Sequence, residues 1–231
     1  MANEFNGFPK DFFSFFLELK RNNERPWFEA NKQRFRESVQ APMSAFIAAM
    51  APRLERISEH FVADPRPNGG SMFRIYRDVR FSKNKRPYKE HAACHFRHAL
   101  GKDVHAPGFY VHFAPDEVFF GGGLWMPESE ALAKVRSAIA NNPAAWKRVL
   151  DDKRYRQSFG GVSGEALSRP PRGFDPDHPF IDDIKRKSFF AMHDGGVKLA
   201  QSAALVDEVV QTFCSASPFM RFLCTALDVP Y

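Results

Sequence analysis

The chain has 231 residues, of which 44% are hydrophobic and 25 are phenylalanine. That composition excludes a disordered chain and leaves ample material for a buried core. Its formal charge of +6 and pI near 9.3 favour anionic partners without the excess of a dedicated polyanion-binding coat.

No apolar run approaches the ~20 residues of a membrane span, and the first residues lack the basic and apolar segments of a secretory leader. Cys94, Cys214 and Cys224 form no C-x-x-C pair, which argues against a disulfide framework. The expectation is a cytoplasmic protein with no membrane partner.

Helices come first in the chain. Phe8, Phe12, Phe15, Phe16 and Leu19 recur at three- and four-residue spacing, the mark of one apolar helix face, with Pro9 in the first turn. "RNNER" interrupts this pattern. A second helix is expected from about Pro26 to Val39, and Pro42 opens a third, with Met43, Phe46, Ile47, Met50, Leu54 and Ile57 on its inner side. "ADPRPNGGS", 63 to 71, reads as a loop.

Residues 72 to 125 read as sheet. "MFRIYRDVRF" alternates Phe73, Ile75, Val79 and Phe81 with Arg74, Tyr76, Asp78 and Arg80, which predicts a half-buried strand over 73–81. "SKNKRP" is its turn, and "HAACHFRHA" is a partner strand over 91–99 leading through "KDVHAPG". "FYVHF" and "VFFGG" flank "APDE" as a further hairpin, 108–114 with 117–122. Short connections between four successive strands imply an antiparallel meander.

The remainder returns to helix. Pro127 marks a helix start with Leu132, Val135, Ala138 and Ile139 inward, and "NPAAWKRVL" is another helix. Residues 157 to 180 are Gly- and Pro-rich and irregular, with "FDPDHPF" and the "MHDGG" around His193 read as turns. Two helices, near 197–213 and 217–227, close the chain. The whole reads as a single α+β domain, 1–231: helical 8–60, sheet 72–125, helical 127–231. An antiparallel sheet of about four or more strands carries its helices mainly on one face.

The chemistry concentrates at residues 74 to 90, which hold seven cations, Arg74, Arg77, Arg80, Lys83, Lys85, Arg86 and Lys89, against Asp78 and Glu90. On a regular strand Arg74, Asp78 and Arg80 share a face, with neighbours two apart separated by ~7 Å. Asp78 then holds Arg80, and guanidinium donors remain to fork onto phosphate or carboxylate. Arg77 points to the apolar side unless a bulge at Arg77–Asp78 turns it. The alternative is a solvated, ion-paired face.

His91, Ala93, His95 and Arg97 share a face of the partner strand. His91 and His95, ~13 Å apart along a strand, cannot chelate one metal. Either one facing Asp78 would serve as an acid or base, which makes Asp78, His91 and His95 the candidate catalytic groups. Gly121, Gly122 and Gly123, between a strand and a helix, permit backbone N–H groups to approach an anion, although a bend is the plainer reading. Trp125 beside them is a stacking platform or core. No zinc, serine-hydrolase or dinucleotide motif is present, so no metal and no cofactor are expected.

Arg74-x-x-Arg77-Asp78-x-Arg80-Phe81, followed by Asn84-Lys85-x-x-Tyr88, resembles the signature of an uncharacterised bacterial family, domain-of-unknown-function family 2461. "NNERPWFEANKQRF", "PGFYVHF", "GGGLWMP" and "SRPPRGFDPDHP" extend the likeness over most of the chain. Asn84 stands where the pattern also takes an acidic residue, and Arg86 lies in the turn. The resemblance implies no activity.

The residues themselves point to a small anionic ligand, phosphorylated or carboxylated, bound or processed at Arg74, Arg77, Asp78, Arg80, Lys85, Tyr88 and Gly121–Gly123. A nucleic-acid-binding module is the first alternative, with Lys83, Lys85, Arg86 and Lys89 on phosphates and Tyr76 or Tyr88 stacking. An interaction protein docking an acidic partner is the second.

Overall fold

The computed structural model describes residues 5–101 and 106–231; the "KDVH" of the predicted connection "KDVHAPG" lies outside them. In chain order the helices are α1 (Lys10–Arg21), α2 (Arg25–Ala30), α3 (Lys32–Phe35), α4 (Ala41–Ile57), α5 (Ser129–Asn141), α6 (Pro143–Asp151), α7 (Lys153–Phe159), α8 (Ile181–Ile184), α9 (Val197–Ala200) and α10 (Leu205–Ala226). The strands are β1 (Ala92–Arg97), β2 (Gly108–Phe113), β3 (Val118–Leu124) and β4 (Phe189–Asp194), paired antiparallel in that order. The fold is α+β.

Two helix boundaries differ from the expected ones. A π turn at Arg36–Gln40 joins α3 directly to α4. Pro42 lacks the N–H that would close a normal turn onto residue 38, and a widened turn absorbs that mismatch without ending the helix. Similarly, α10 runs through Pro218 where two helices were expected. Val209, Phe213, Phe219, Met220 and Leu223 are buried on both sides of that proline, and this tertiary packing outweighs one missing backbone bond.

One sheet face carries the core. Phe96, Phe109, Val111, Phe113, Phe120 and Ala191 all point into it and are fully buried. Phe8 meets Phe113 with ring centroids 4.5 Å apart, so the N-terminal aromatic face packs where its periodicity placed it. From the other side Phe213 of α10 stacks on Phe109 at 4.4 Å. The core has no room to spare: a Cβ on Gly122 would lie 2.9 Å from both Met220 Sδ and the Phe109 ring.

The sheet corrects the expected meander in its fourth strand. Residues 73–81 form no regular strand, and the fourth place belongs to β4, in which His193 lies within the strand and not in a turn. The stretch 71–91 instead forms an arm along the outer edge of β1. Met72 pairs with Cys94, but Tyr76, four residues on, pairs with Tyr88, six residues back. The two extra residues bulge on the 88–94 side, and the alternation breaks with them: Ile75 is buried in the core while Phe73 turns to the opposite sheet face. Phe81, expected on the apolar side, is 95% exposed.

Candidate functional site

The arm is held by the residues that made its sequence conspicuous. Arg80 closes its fork on Asp78, Nε to Oδ1 at 3.0 Å and Nη2 to Oδ2 at 2.7 Å. This guanidinium holds the Asp78 carboxyl down at about 2. Both side chains lie in solvent, 76% and 62% exposed. Arg77, expected to need rescue by a bulge, donates from Nη1 to the Arg86 carbonyl at 3.3 Å. Lys85 Nζ donates to the Val79 carbonyl at 3.0 Å and Lys89 Nζ to the Arg74 carbonyl at 2.8 Å. Tyr88 is buried and stacks on Phe28 at 4.2 Å.

The link to α1 and α2 is Asn23. Its Oδ1 accepts from the Tyr88 N–H at 3.1 Å, while Nδ2 donates to the Tyr88 carbonyl at 3.1 Å and to Glu90 Oε1 at 2.9 Å. Glu90 in turn accepts from Arg86 Nη1 at 2.8 Å. One amide side chain thus does the work of a strand neighbour for the arm.

The more concave surface lies elsewhere, on the sheet face that the helices leave uncovered. Period-two alternation places His95, Tyr110, Gly121 and Met192 in one cross-strand row and Arg97, Gly108, Gly123 and Phe190 in the next. His95, Tyr110 and Met192 of the first row and Gly108, Gly123 and Phe190 of the second, with Phe73 and Trp125, line a groove of about 530 Å³. Its floor is hollow where the paired Gly108 and Gly123 carry no side chain. The arrangement also forbids larger residues: a Cβ on Gly108 would meet His95 Nε2 at 2.2 Å, and one on Gly121 would meet the Ala191 carbonyl oxygen at 1.9 Å. The Gly121–Gly123 backbone therefore serves the ladder on both sides of a central strand, and α5 begins only at Ser129. Their N–H groups are not presented to an anion at a helix start.

Three imidazoles line or underlie this groove. His91 packs on His112 with centroids 4.2 Å apart, and Phe119 stacks on the other side of His112 at 4.5 Å. Tyr110 Oη lies 3.1 Å from His112 Nδ1. With the phenol donating, the imidazole proton sits on Nε2, which faces Glu117 Oε1 at 3.3 Å at an angle that makes no hydrogen bond.

Burial lowers all three histidines from 6.5, His91 and His95 to about 4 and His112 to about 3. Lys89 adds to the effect at His91, Arg97 at His95 and His91 at His112. At neutral pH these are uncharged rings that offer a lone pair. Burial raises the Tyr110 phenol and lowers the Lys89 ammonium.

His91 and His95 thus share a face, but it is not the face of Asp78, whose partner is Arg80. Of the residues singled out in the sequence, Phe73, Lys89, His91, His95, Gly123 and Trp125 border the groove. Arg77, Asp78, Arg80, Lys85 and Tyr88 do not. Sequence reasoning missed Tyr110, His112, Met192, Phe190 and Gly108. The signal was in "GFYVHF": Tyr110 and His112 alternate with fully apolar Phe109, Val111 and Phe113, polar aromatics set opposite a core face.

Residues 11–222 match the profile of a family described as conserved hypothetical protein, DUF2461. The chain belongs to this family. No curated protein and no solved structure matches it. The DUF2461 match spans both the arm and the groove. Among the described residues no helix is long and apolar enough to cross a membrane, and no three His, Cys, Asp or Glu side chains are grouped to hold a metal ion.

Proposed function

We propose that this DUF2461 protein binds a small organic ligand on the open face of its sheet, with an aromatic or apolar body in the groove and an anionic group beside it. The observation that carries this reading is the groove itself. A sheet face uncovered by helices is hollowed at Gly108 and Gly123 and walled by Phe73, Tyr110, Trp125 and Phe190. About 530 Å³ lies within the ~300–1,000 Å³ of small-molecule sites. His91 and His95, neutral at pH 7, orient the ligand through hydrogen bonds and are the groove's proton acceptors if the ligand is turned over. Asp78, ion-paired at the surface, takes no part.

The test is thermal unfolding with aromatic carboxylates and phosphates, on the wild type and on Met192→Trp, which fills the groove from the strand beside Gly121. A ligand that binds only the folded state raises the melting temperature. The wild type should respond and Met192→Trp should not. Equal shifts in both would refute the groove.

A second reading rests on Phe81. It is 95% exposed among Arg80, Lys83, Lys85 and Arg86, an aromatic among cations suited to single-stranded nucleic acid. Oligothymidine binding that weakens steeply with log salt and is lost in Phe81→Ala would favour it.

A further inference from the structure

A second basin opens beside the groove, about 450 Å³ in volume, and shares Phe73 and His95 with it as a common wall. These two rings lie parallel, 6.4 Å apart and 9° from coplanar orientation. The basin differs from the groove in chemistry, because its wall carries three guanidiniums, those of Arg66, Arg74 and Arg97. Arg66 is neutralised by Asp64, through Nε to Oδ2 at 2.8 Å. His98 is fully used, with Nδ1 accepting from the Leu100 N–H at 3.1 Å and Nε2 set against the Pro230 carbonyl at 2.9 Å. Arg74 and Arg97 remain. Neither guanidinium donates to, or pairs with, any described residue. Arg97 is only partly exposed, standing on the open face of β1 opposite Gly108.

A half-buried guanidinium with no acidic partner among the described residues is costly unless an anion completes it. Arg97 cannot get that anion from Asp64, which Arg66 occupies. Arg80, by contrast, has its carboxylate in Asp78. Resting on the groove reading above, we infer that Arg74 and Arg97 form the subsite for the ligand's oxyanion, a phosphate monoester or carboxylate. The aromatic body passes the Phe73–His95 wall into the groove. The ligand class is therefore an amphiphilic aromatic or apolar oxyanion, and neither half alone fills the site.

The experiment uses 2-naphthyl phosphate, 2-naphthoate, 2-naphthol and inorganic phosphate as probes, with calorimetric titration of the wild type, Arg74→Gln, Arg97→Gln, Arg97→Lys and Arg80→Gln. In the wild type an acidic naphthyl probe should bind more tightly than naphthol, and phosphate alone should bind weakly. Arg74→Gln and Arg97→Gln should weaken the acidic probe on the order of ten- to hundred-fold while leaving naphthol unchanged, which also reports an intact groove. Arg97→Lys should recover little, because an ammonium cannot reproduce the fork. Arg80→Gln should behave as wild type. If the acidic probe binds wild type and both glutamine variants alike, the subsite is refuted and the groove stands. If neither naphthol nor the acidic probes bind the wild type, the groove reading falls and the subsite with it. If only Arg80→Gln loses binding, the oxyanion site lies on the arm and the assignment to Arg97 is wrong.

Discussion

Acidification should unfold this protein through the histidines of the open sheet face before its carboxylates matter. His91, His95 and His112 have folded-state values of about 4, 4 and 3 against 6.5 for a free imidazole. As pH falls, the unfolded chain takes up these protons first. The neutral rings therefore contribute full stability above about pH 6.5, and that stability drains away towards pH 4.

Between pH 7 and pH 5 each imidazole that stays neutral in the fold costs about 2 kcal/mol. His91 and His112 are in contact, so the three together give a loss on the order of 5 kcal/mol, a large share of the ~5–15 kcal/mol that holds a domain. Lys89 and Arg97 face these rings and add to the effect, while Glu90 and Asp116 oppose it. Asp11, Glu18 and Asp78 are held below 3.8, 4.5 and 3.8, so their own contributions are lost only at lower pH.

The assay is urea unfolding at pH 7, 6 and 5 on wild type and His95→Leu. The wild type should lose several kcal/mol, and the variant about 2 kcal/mol less. Equal stability of the wild type at pH 7 and 5, or parallel pH curves for the two proteins, would refute the assignment of neutral buried imidazoles.

Asn23→Ala should release the arm, since it removes three hydrogen bonds to Tyr88 and Glu90; a loss of about 1–3 kcal/mol is expected, with trypsin cutting at Arg80–Arg86 faster than in wild type. Arg34 grips Asp11 at 2.6 Å and Glu18 at 2.8 Å, tying α3 to α1. Its replacement by Ala should lower stability by about 1–2 kcal/mol at pH 7 and progressively less as acid protonates the two carboxyls, which Arg34 holds below their ordinary values, as chemical unfolding across an acid series would reveal. Gly121→Ala should abolish folding or cost at least ~3 kcal/mol, because its Cβ would lie 1.9 Å from the Ala191 carbonyl oxygen, whereas Gly161→Ala, with nothing within 4 Å, should change the melting temperature little.

The amino-acid sequence by itself determined the elements whose burial pattern is local. The Phe8–Leu19 stripe, the inner face of α4 and the alternation of "FYVHF" each record which side of an element meets the core, and the structure packs them on that side. His91, Ala93, His95 and Arg97 were legible as one face for the same reason.

Tertiary structure decided what a period cannot encode. Residues 73–81 carry a clean strand pattern yet form an arm, because pairing depends on which segment reaches an edge with its hydrogen bonds in register. β4, 65 residues after β3, takes the free edge of β3 and buries Phe189 and Ala191 there. The arm is left at β1, where a two-residue bulge ends the ladder. The arm's charges were visible in the chain, but which of them have partners was not: Asp78 takes Arg80, Asp64 takes Arg66, and Arg97 faces an open basin. Ion pairing is settled by proximity through space, and alternation along the chain is silent about it.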